Sequence, residues 1–572
     1  MPRRGRISHP PRALPQPVCA TGSTRAAEPP HKLRLTRRKA FVTAVGAAAL
    51  LLHGCSRAPE GQDAIARDAI LVRGAGPEPD SLDPQKARGF EAQSILRDLC
   101  EGLTTLDRQA RVAPGTARSW SATRDGLTYT FDLRQDARWS NGDRLVAGDF
   151  VAGLQRLVDP ATGSAYAQYI DVIANAPDII AGRKPVDTLG VAAPDDGTVV
   201  ISLATPAPYL PTLLSHPSTC PVHRPTLQLR PDALARPGTM VASGAFVLKE
   251  WLPGAYLLAL RNHHYWNDAA TRLEGVRYLV IADENAELAR YRGGELQVTS
   301  VVPRGQFDWI RANLADQLHI SPQLSTYYYG FNLRRAPFKE QPKLRRALSL
   351  AIDREKLTRL VLRVGELPAY GWVPPGVAHY TSQSFDYAEL PMATRIAEAQ
   401  RLYRESGYSA QKPLSFELRY NAGEVHTKLA IAIASMWKEA LGVEVRLTQV
   451  EFKSLLQDID RGDVEMFRSS WVGDYNDAYT FLQVLKSDSG VNLPRYSSPH
   501  YDALLQSAAL QQDPLLRGAL LEEGERAMLA EHPLLPLYFY VNKHLVKPEV
   551  LGWYDNVMNV VYSRDLALAP RR

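Results

Sequence analysis

Between Tyr327 and Leu447 the chain alternates strand-like and helix-like stretches, and this alternation limits the fold more than any other feature. Tyr327–Asn332 is rich in aromatic residues, as a strand should be. Leu344, Ala347, Leu348, Ala351 and Ile352 then recur at helical spacing and define one apolar face. Ser415–Tyr420 is a second strand, and Val425, Leu429, Ile433, Met436 and Ala440 mark the stripe of a second helix. Gly442 ends that helix, and Val443–Leu447 is a third strand. Strand, helix and strand in this order predict a right-handed parallel crossover, so the fold is α/β. Upstream, Leu127–Leu133 alternates with period two, and Thr198–Leu203 and Val276–Ile281 are further strands. Trp139–Asp143 is a turn, and Asp149 is placed to cap a helix through Leu157.

The 572 residues suffice for two or three domains. The formal charge of +6 comes from the first 54 residues, which hold ten Lys or Arg and one acid, Glu28. Without them the totals of 67 basic and 61 acidic residues fall to 57 and 60, a net of −3. A mildly acidic body argues against nucleic-acid binding. Basic residues at 34–39 precede an apolar run from Ala40 to Leu52, which ends in Leu52-His53-Gly54-Cys55. Its 13 residues are too few to span a bilayer but fit a signal-peptide core. The ending resembles a bacterial lipobox, which would make Cys55 a lipidated N-terminus; a signal cut nearby without lipid is the alternative. Residues 1–32 are Pro- and Arg-rich and precede the basic region, so a start near Leu33 or Leu35 is the expectation.

Of four cysteines, Cys19 would be discarded and Cys55 lipidated, leaving Cys100 and Cys220. Two thiols in an oxidising compartment can pair, but spacing alone does not decide it. There is no C-x-x-C, no G-x-S-x-G, no H-E-x-x-H and no phosphate loop. Carboxylates are numerous, which leaves a glycosidase-type envelope hydrolase as the reading from another class. His263-His264, if in a strand, would point to opposite faces, which argues against a metal pair. Arg468–Asn476 sets one acid, Asp474, among aromatic and small residues. It reads either as a surface turn or as a wall that holds a cation on Asp474, with Trp471 as a flat apolar surface.

Eight short stretches occur in the order known from one family: Asp80–Pro84, Arg97–Leu103, Trp139–Asp143, His216–Thr219, Ser243–Phe246, Thr326–Tyr329, Ala351–Arg354 and Asp474–Asn476. From about Val72 onward the chain resembles the periplasmic oligopeptide-binding proteins of ABC importers, within the peptide/nickel-type solute-binding class. The resemblance implies a two-lobed periplasmic-binding-protein type II-like fold with an extra inserted domain and a hinge between lobes. Residues 1–54 would be leader and 55–70 a tether. Lobe I would combine 71–100, 226–324 and 541–572, the insert would be 101–225, and lobe III 325–540.

By the same resemblance, Asp474 would meet a peptide α-ammonium, and Ser470, Val472 and Phe90 would pair by backbone with the peptide. Tyr166, Trp471, Phe452, Tyr328, Tyr540, Asn421 and Ser300 would line pockets. Arg468 and His426 would receive the peptide carboxylate. Ser325 and Val472 stand where enteric relatives have a disulfide, and Gly330 and Ile459 where they have Glu and Arg. Cys100 and Cys220 fall near the crossover between lobe I and the insert, where a disulfide is expected. The implied protein is a monomeric receptor on the periplasmic side of a bacterial cell envelope. It performs no catalysis and needs no cofactor or metal. Its partners would be an oligopeptide, the membrane-spanning subunits of an ABC permease with their ATPases, and the membrane through the lipid anchor. Murein peptides, dipeptides, nickel or haem are alternative cargoes on the same fold.

Overall fold

The computed structural model describes residues 70–230 and 234–570. The leader, Cys19, Cys55 and the tether up to residue 69 lie outside the described residues; Ile70, expected in the tether, is the first residue of a strand. No helix among those described is long and apolar enough to cross a membrane.

The largest sheet has six strands. The strand Ser415–Asn421 pairs in parallel with Glu444–Val450 through the helix Glu424–Leu441, the crossover that the alternation predicts. Leu429 and Ile433 are buried as the stripe requires, together with Trp437. Gly442 closes the helix at φ 75°, a left-handed conformation that glycine adopts without strain. At the centre lies the strand Leu318–Phe331, flanked by Met466–Val472 and Leu534–Leu545, both antiparallel to it. It begins nine residues earlier than its sequence pattern suggests. Pro322 interrupts the pattern, and the ladder to Leu534–Leu545 shifts register between Pro322 and Thr326.

A second sheet joins Ile70–Gly76, Gly275–Val280, Tyr256–Arg261 and Phe246–Leu252. Its core gathers Leu71, Leu96, Phe246 and Val276 with Val550 and Leu566 from the C-terminal segment. A third sheet holds Ala117–Ala122, Thr128–Leu133, Thr198–Ser202 and Val191–Asp195 over its own core, centred on Phe131, Phe150 and Leu154. Cys100, at the end of the helix Phe90–Leu99, is bonded to Cys220 across 120 residues.

Two local expectations are corrected. Asp149 is not the first cap of its helix. The helix Ala147–Val158 starts after Val146, and the Asp149 carboxylate reaches back to accept the Val146 N–H at 3.1 Å. It also accepts Trp139 Nε1–H at 3.0 Å and Arg224 Nε–H at 2.9 Å, which explains why it is buried. His263 and His264 follow the strand Tyr256–Arg261 in a turn, not within it. No cluster of three metal-ligating side chains exists among the described residues.

One buried acid fixes the segment beside the central strand. Glu525 accepts the N–H groups of Trp372 and Val373 at 2.6 and 3.0 Å and the Tyr380 hydroxyl. Burial outweighs these bonds and pushes its carboxyl up from 4.5 to about 7. The folded state therefore holds a proton that the unfolded chain releases between those values. The contribution of Glu525 to stability is greatest below pH 4.5 and falls as pH rises towards 7, by at most about 3 kcal/mol. Glu525→Gln keeps the shape and an acceptor oxygen. The wild-type-minus-variant difference in unfolding free energy, from denaturant titrations at pH 5 and pH 8, should become more negative at the higher pH.

Candidate functional site

A cavity of about 690 Å³ lies among these elements. The helix Phe90–Leu99 brings Phe90, from its first turn, and Arg97, from its last, to one wall, and Tyr166, Tyr169 and His216 come from the region of the third sheet. Val472–Asp474, at and just past the end of the strand Met466–Val472, form a second wall that meets Tyr169. Ser300–Val302, Arg304, Val541–His544 and Val557–Val560 also line it.

Asp474 is mounted firmly although it sits in a loop. Gly473 donates its N–H to Leu324 O at 2.8 Å, and the space that a Cβ would fill is taken by Leu324 and Phe481 at 2.6 and 2.8 Å. The Asp474 N–H bonds Thr480 Oγ1 at 3.2 Å, and the Tyr169 hydroxyl donates to Asp474 O at 3.2 Å. Beyond it, Tyr475 stacks on Tyr209 at 4.8 Å, and Asn476 donates to Ala110 O at 2.7 Å. The carboxylate itself makes no hydrogen bond or ion pair among the described residues. It is exposed to the cavity, yet surrounding protein thins its hydration and raises its pKa above 3.8. An acid left in this condition is prepared for a cation from outside.

His216 sits between Tyr166 and Tyr169, with ring centroids at 4.6 and 4.8 Å. Burial first, and Arg97 second, lower its pKa to about 3, so it is neutral and does not compete for Asp474. Its Nδ1 is 2.8 Å from Ser218 Oγ.

A second cluster lies on the same strand as Val472. Opposed residues of the antiparallel ladder are Ser325 with Val472, Tyr327 with Ser470 and Tyr329 with Arg468. By strand alternation Arg468, Ser470 and Val472 share one face. Arg468 is buried, donates to Asn421 Oδ1 at 3.1 Å, and lies 4.6 Å over the Tyr327 ring. The Tyr327 hydroxyl is 3.2 Å from His426 Nδ1, and Tyr540 is a further ring neighbour at 6.4 Å. Burial, then Arg468, lower the His426 pKa to about 4. Arg468 to Val472 spans about 13 Å of strand.

Of the residues expected at the site, Asp474, Val472, Phe90, Tyr166 and Ser300 line the cavity. Ser300 presents little polarity there, since its N–H and hydroxyl both bond the buried Glu287 at 2.7 and 2.8 Å. Arg468, His426, Asn421 and Tyr540 form the second cluster, with Ser470 between the two. Phe452 opens the helix Phe452–Arg461 and is half-exposed, outside the cavity. Trp471 also lies outside, its indole N–H donating to Thr480 O at 2.8 Å. Tyr328 is a correction: it is buried on the opposite strand face, edge-on to Trp372 at 5.0 Å, and reaches no cavity. Gly330 and Ile459 are core positions; a Cβ on Gly330 would meet the Phe467 ring at 2.3 Å. Tyr169, His216, Arg97 and Lys543 line the cavity as well; Arg97 and His216 fall within two of the eight recognised stretches, and Tyr169 follows Tyr166 by three residues.

The model of bacterial extracellular solute-binding proteins, family 5 Middle, matches residues 111–492. The chain belongs to this family. A relative of this family 5 protein is the periplasmic oligopeptide-binding protein OppA of Escherichia coli K12, 38% identical over 536 residues, covering 92% of this chain and 98% of that one. Among solved structures, the unliganded open form of the murein tripeptide-binding protein MppA matches with TM-score 0.85 at 37% identity, covering 88% and 98% of the two chains. Another structure of the Escherichia coli MppA matches at the same identity with TM-score 0.67, covering 88% and 99%. At equal identity, the superposition is better on the structure described as the unliganded open form. The fold is the two-lobed α/β architecture of the periplasmic binding proteins, and the protein binds a solute without catalysing a reaction.

Proposed function

We propose that the chain is a lipid-anchored receptor on the periplasmic side of the envelope, which binds oligopeptides between its lobes and delivers them to an ABC permease. The unpaired, partly desolvated carboxylate of Asp474 in the interlobe cavity carries this reading, because it calls for a cation that the protein does not supply. The peptide α-ammonium meets it, and the backbone of Ser470 and Val472 pairs with an extended ligand. Arg468 and His426 take the carboxylate of a short peptide. Lobe I is 71–100, 226–324 and 541–572, the insert is 101–225, and lobe III is 325–540, with closure favoured because ligand binds the closed form better. Lipidation at Cys55 holds the monomer at the membrane. The similarity to OppA, an oligopeptide-binding protein by name, supports the ligand class. A murein peptide is the second reading, favoured by the superposition on open MppA.

The test is thermal melting of protein from Ser56 onward, stripped of ligand by denaturation and refolding, with tri- and tetrapeptides. At 100 times the dissociation constant a ligand should stabilise the fold by about 2.7 kcal/mol. Stabilisation by a murein tripeptide alone would select the second reading, and stabilisation by no peptide would refute both.

A further inference from the structure

The wall that meets Asp474 carries an unpaired cation. Arg97, in the last turn of the helix Phe90–Leu99, is half-buried and lines the same cavity as Asp474. Its guanidinium makes no hydrogen bond or ion pair among the described residues, and its Nη1 is buried without a partner. The acids nearest to it in the chain are committed elsewhere. Asp98 accepts the Ser563 N–H at 2.9 Å and the Tyr278 hydroxyl. Glu101 shares a void of about 10 Å³ with Arg97. Its carboxylate already accepts the Tyr265 hydroxyl at 2.5 Å, Trp266 Nε1–H at 2.7 Å and Arg564 Nη1–H at 3.1 Å. A half-buried guanidinium without a counter-ion gains more from an anion in the ligand than a solvated one would, and its planar fork suits a carboxylate.

The ring cluster ties Arg97 to the Asp474 end of the cavity. The Tyr169 hydroxyl reaches Asp474 O, and His216 packs between Tyr166 and Tyr169. Burial raises the pKa values of both tyrosines; beyond that, Asp474 raises them and Arg97 lowers them, so both charges act on the same two rings. Strand direction then limits which part of a ligand can meet Arg97. A peptide anchored at Asp474 runs past Val472 and Ser470 towards Arg468, at about 3.4 Å per residue. Its first residues stay beside the rings, and each later one is farther from them.

We propose that Arg97 is a specificity-determining residue that takes a side-chain carboxylate from one of the first two residues of the bound peptide. The ligand class is then a peptide with an acidic residue next to its free N-terminus. The inference rests on the peptide reading above. Arg88, just before the same helix, also lines the cavity but is exposed to solvent, so it adds little.

Calorimetry on stripped protein tests this with Glu-Ala-Ala, Ala-Glu-Ala, Ala-Ala-Glu and their Gln counterparts. The quantity read is the ratio of Glu to Gln affinity at each position. Both affinities in a ratio belong to one protein, so a substitution that loosens the fold lowers them alike. Wild type should prefer Glu about 10-fold at the first or the second position, and that position identifies the side chain. Arg97→Gln should bring this ratio to about 1, Arg97→Lys should retain part of it, and Arg88→Gln should change it by about 2-fold or less. Any preference at the third position should survive Arg97→Gln. No preference at the first two positions, or one that survives Arg97→Gln, would overturn the role of Arg97 while leaving peptide binding intact. An equal loss in Arg88→Gln would assign the preference to the overall charge of the cavity and overturn a site at Arg97. If wild-type protein bound none of these ligands, the peptide reading would fall and this one with it.

Discussion

Replacing Asp474 by alanine should weaken binding of a free tripeptide about 30- to 1000-fold, the effect of leaving one buried charge without its partner. The wild-type carboxylate is exposed to the cavity but partly desolvated by the surrounding protein, so a part of the desolvation penalty is met before ligand arrives. The variant forces the ligand ammonium to give up water for nothing. An N-acetylated peptide should bind wild type and variant equally weakly, and this equality identifies the lost interaction as the charge pair. The pH dependence has a defined sign. Asp474 must be ionised to hold an ammonium, so affinity falls as pH falls through its raised pKa. His216 and His426, depressed to about 3 and about 4, stay neutral above that range and add no titration near pH 6.5. Calorimetry from pH 4 to 8 checks both statements.

The Cys100–Cys220 bond should be the largest single contribution to global stability that one pair of residues makes. It closes a loop with sequence separation 120 that contains the third sheet as well as Tyr166, Tyr169 and His216. In the loop-entropy description, removing such a cross-link costs about 4–5 kcal/mol. Both cysteines are buried, and the Gln85 side chain donates to Cys220 O at 3.0 Å, so the surrounding native contacts persist without the bond. The Cys100→Ser, Cys220→Ser variant should fold and bind peptide, but unfold at clearly lower guanidinium concentration than oxidised wild type. Reduced wild type should follow the variant. Coincident unfolding curves for all three would show that the cross-link does not constrain the unfolded chain.

What the sequence made legible follows from the range of the interactions. Periodicity is local, so Ser415–Asn421, Glu424–Leu441 and Glu444–Val450 were found with their pairing direction. Asp474 is legible through order along the chain: Gly473-Asp474-Tyr475-Asn476 alone reads equally as a turn, and only its place as the last of eight ordered stretches marks it as a site residue. Strand facing is less legible. Tyr327, Tyr328 and Tyr329 read alike, and only pairing with Met466–Val472 turns the outer two towards Arg468 and the middle one into the core. Pro322 hid the first part of the central strand, because a register shift that accommodates proline is a tertiary event.

The central claim is that the lobes close on a ligand whose ammonium reaches Asp474. Small-angle X-ray scattering on stripped protein tests it most directly, with one tripeptide in free and N-acetylated form. The free peptide should lower the radius of gyration at saturating concentration, and the acetylated peptide at the same concentration should not. A free tripeptide that binds by calorimetry yet leaves the scattering unchanged would contradict closure. Equal compaction by both forms would contradict the role given to Asp474.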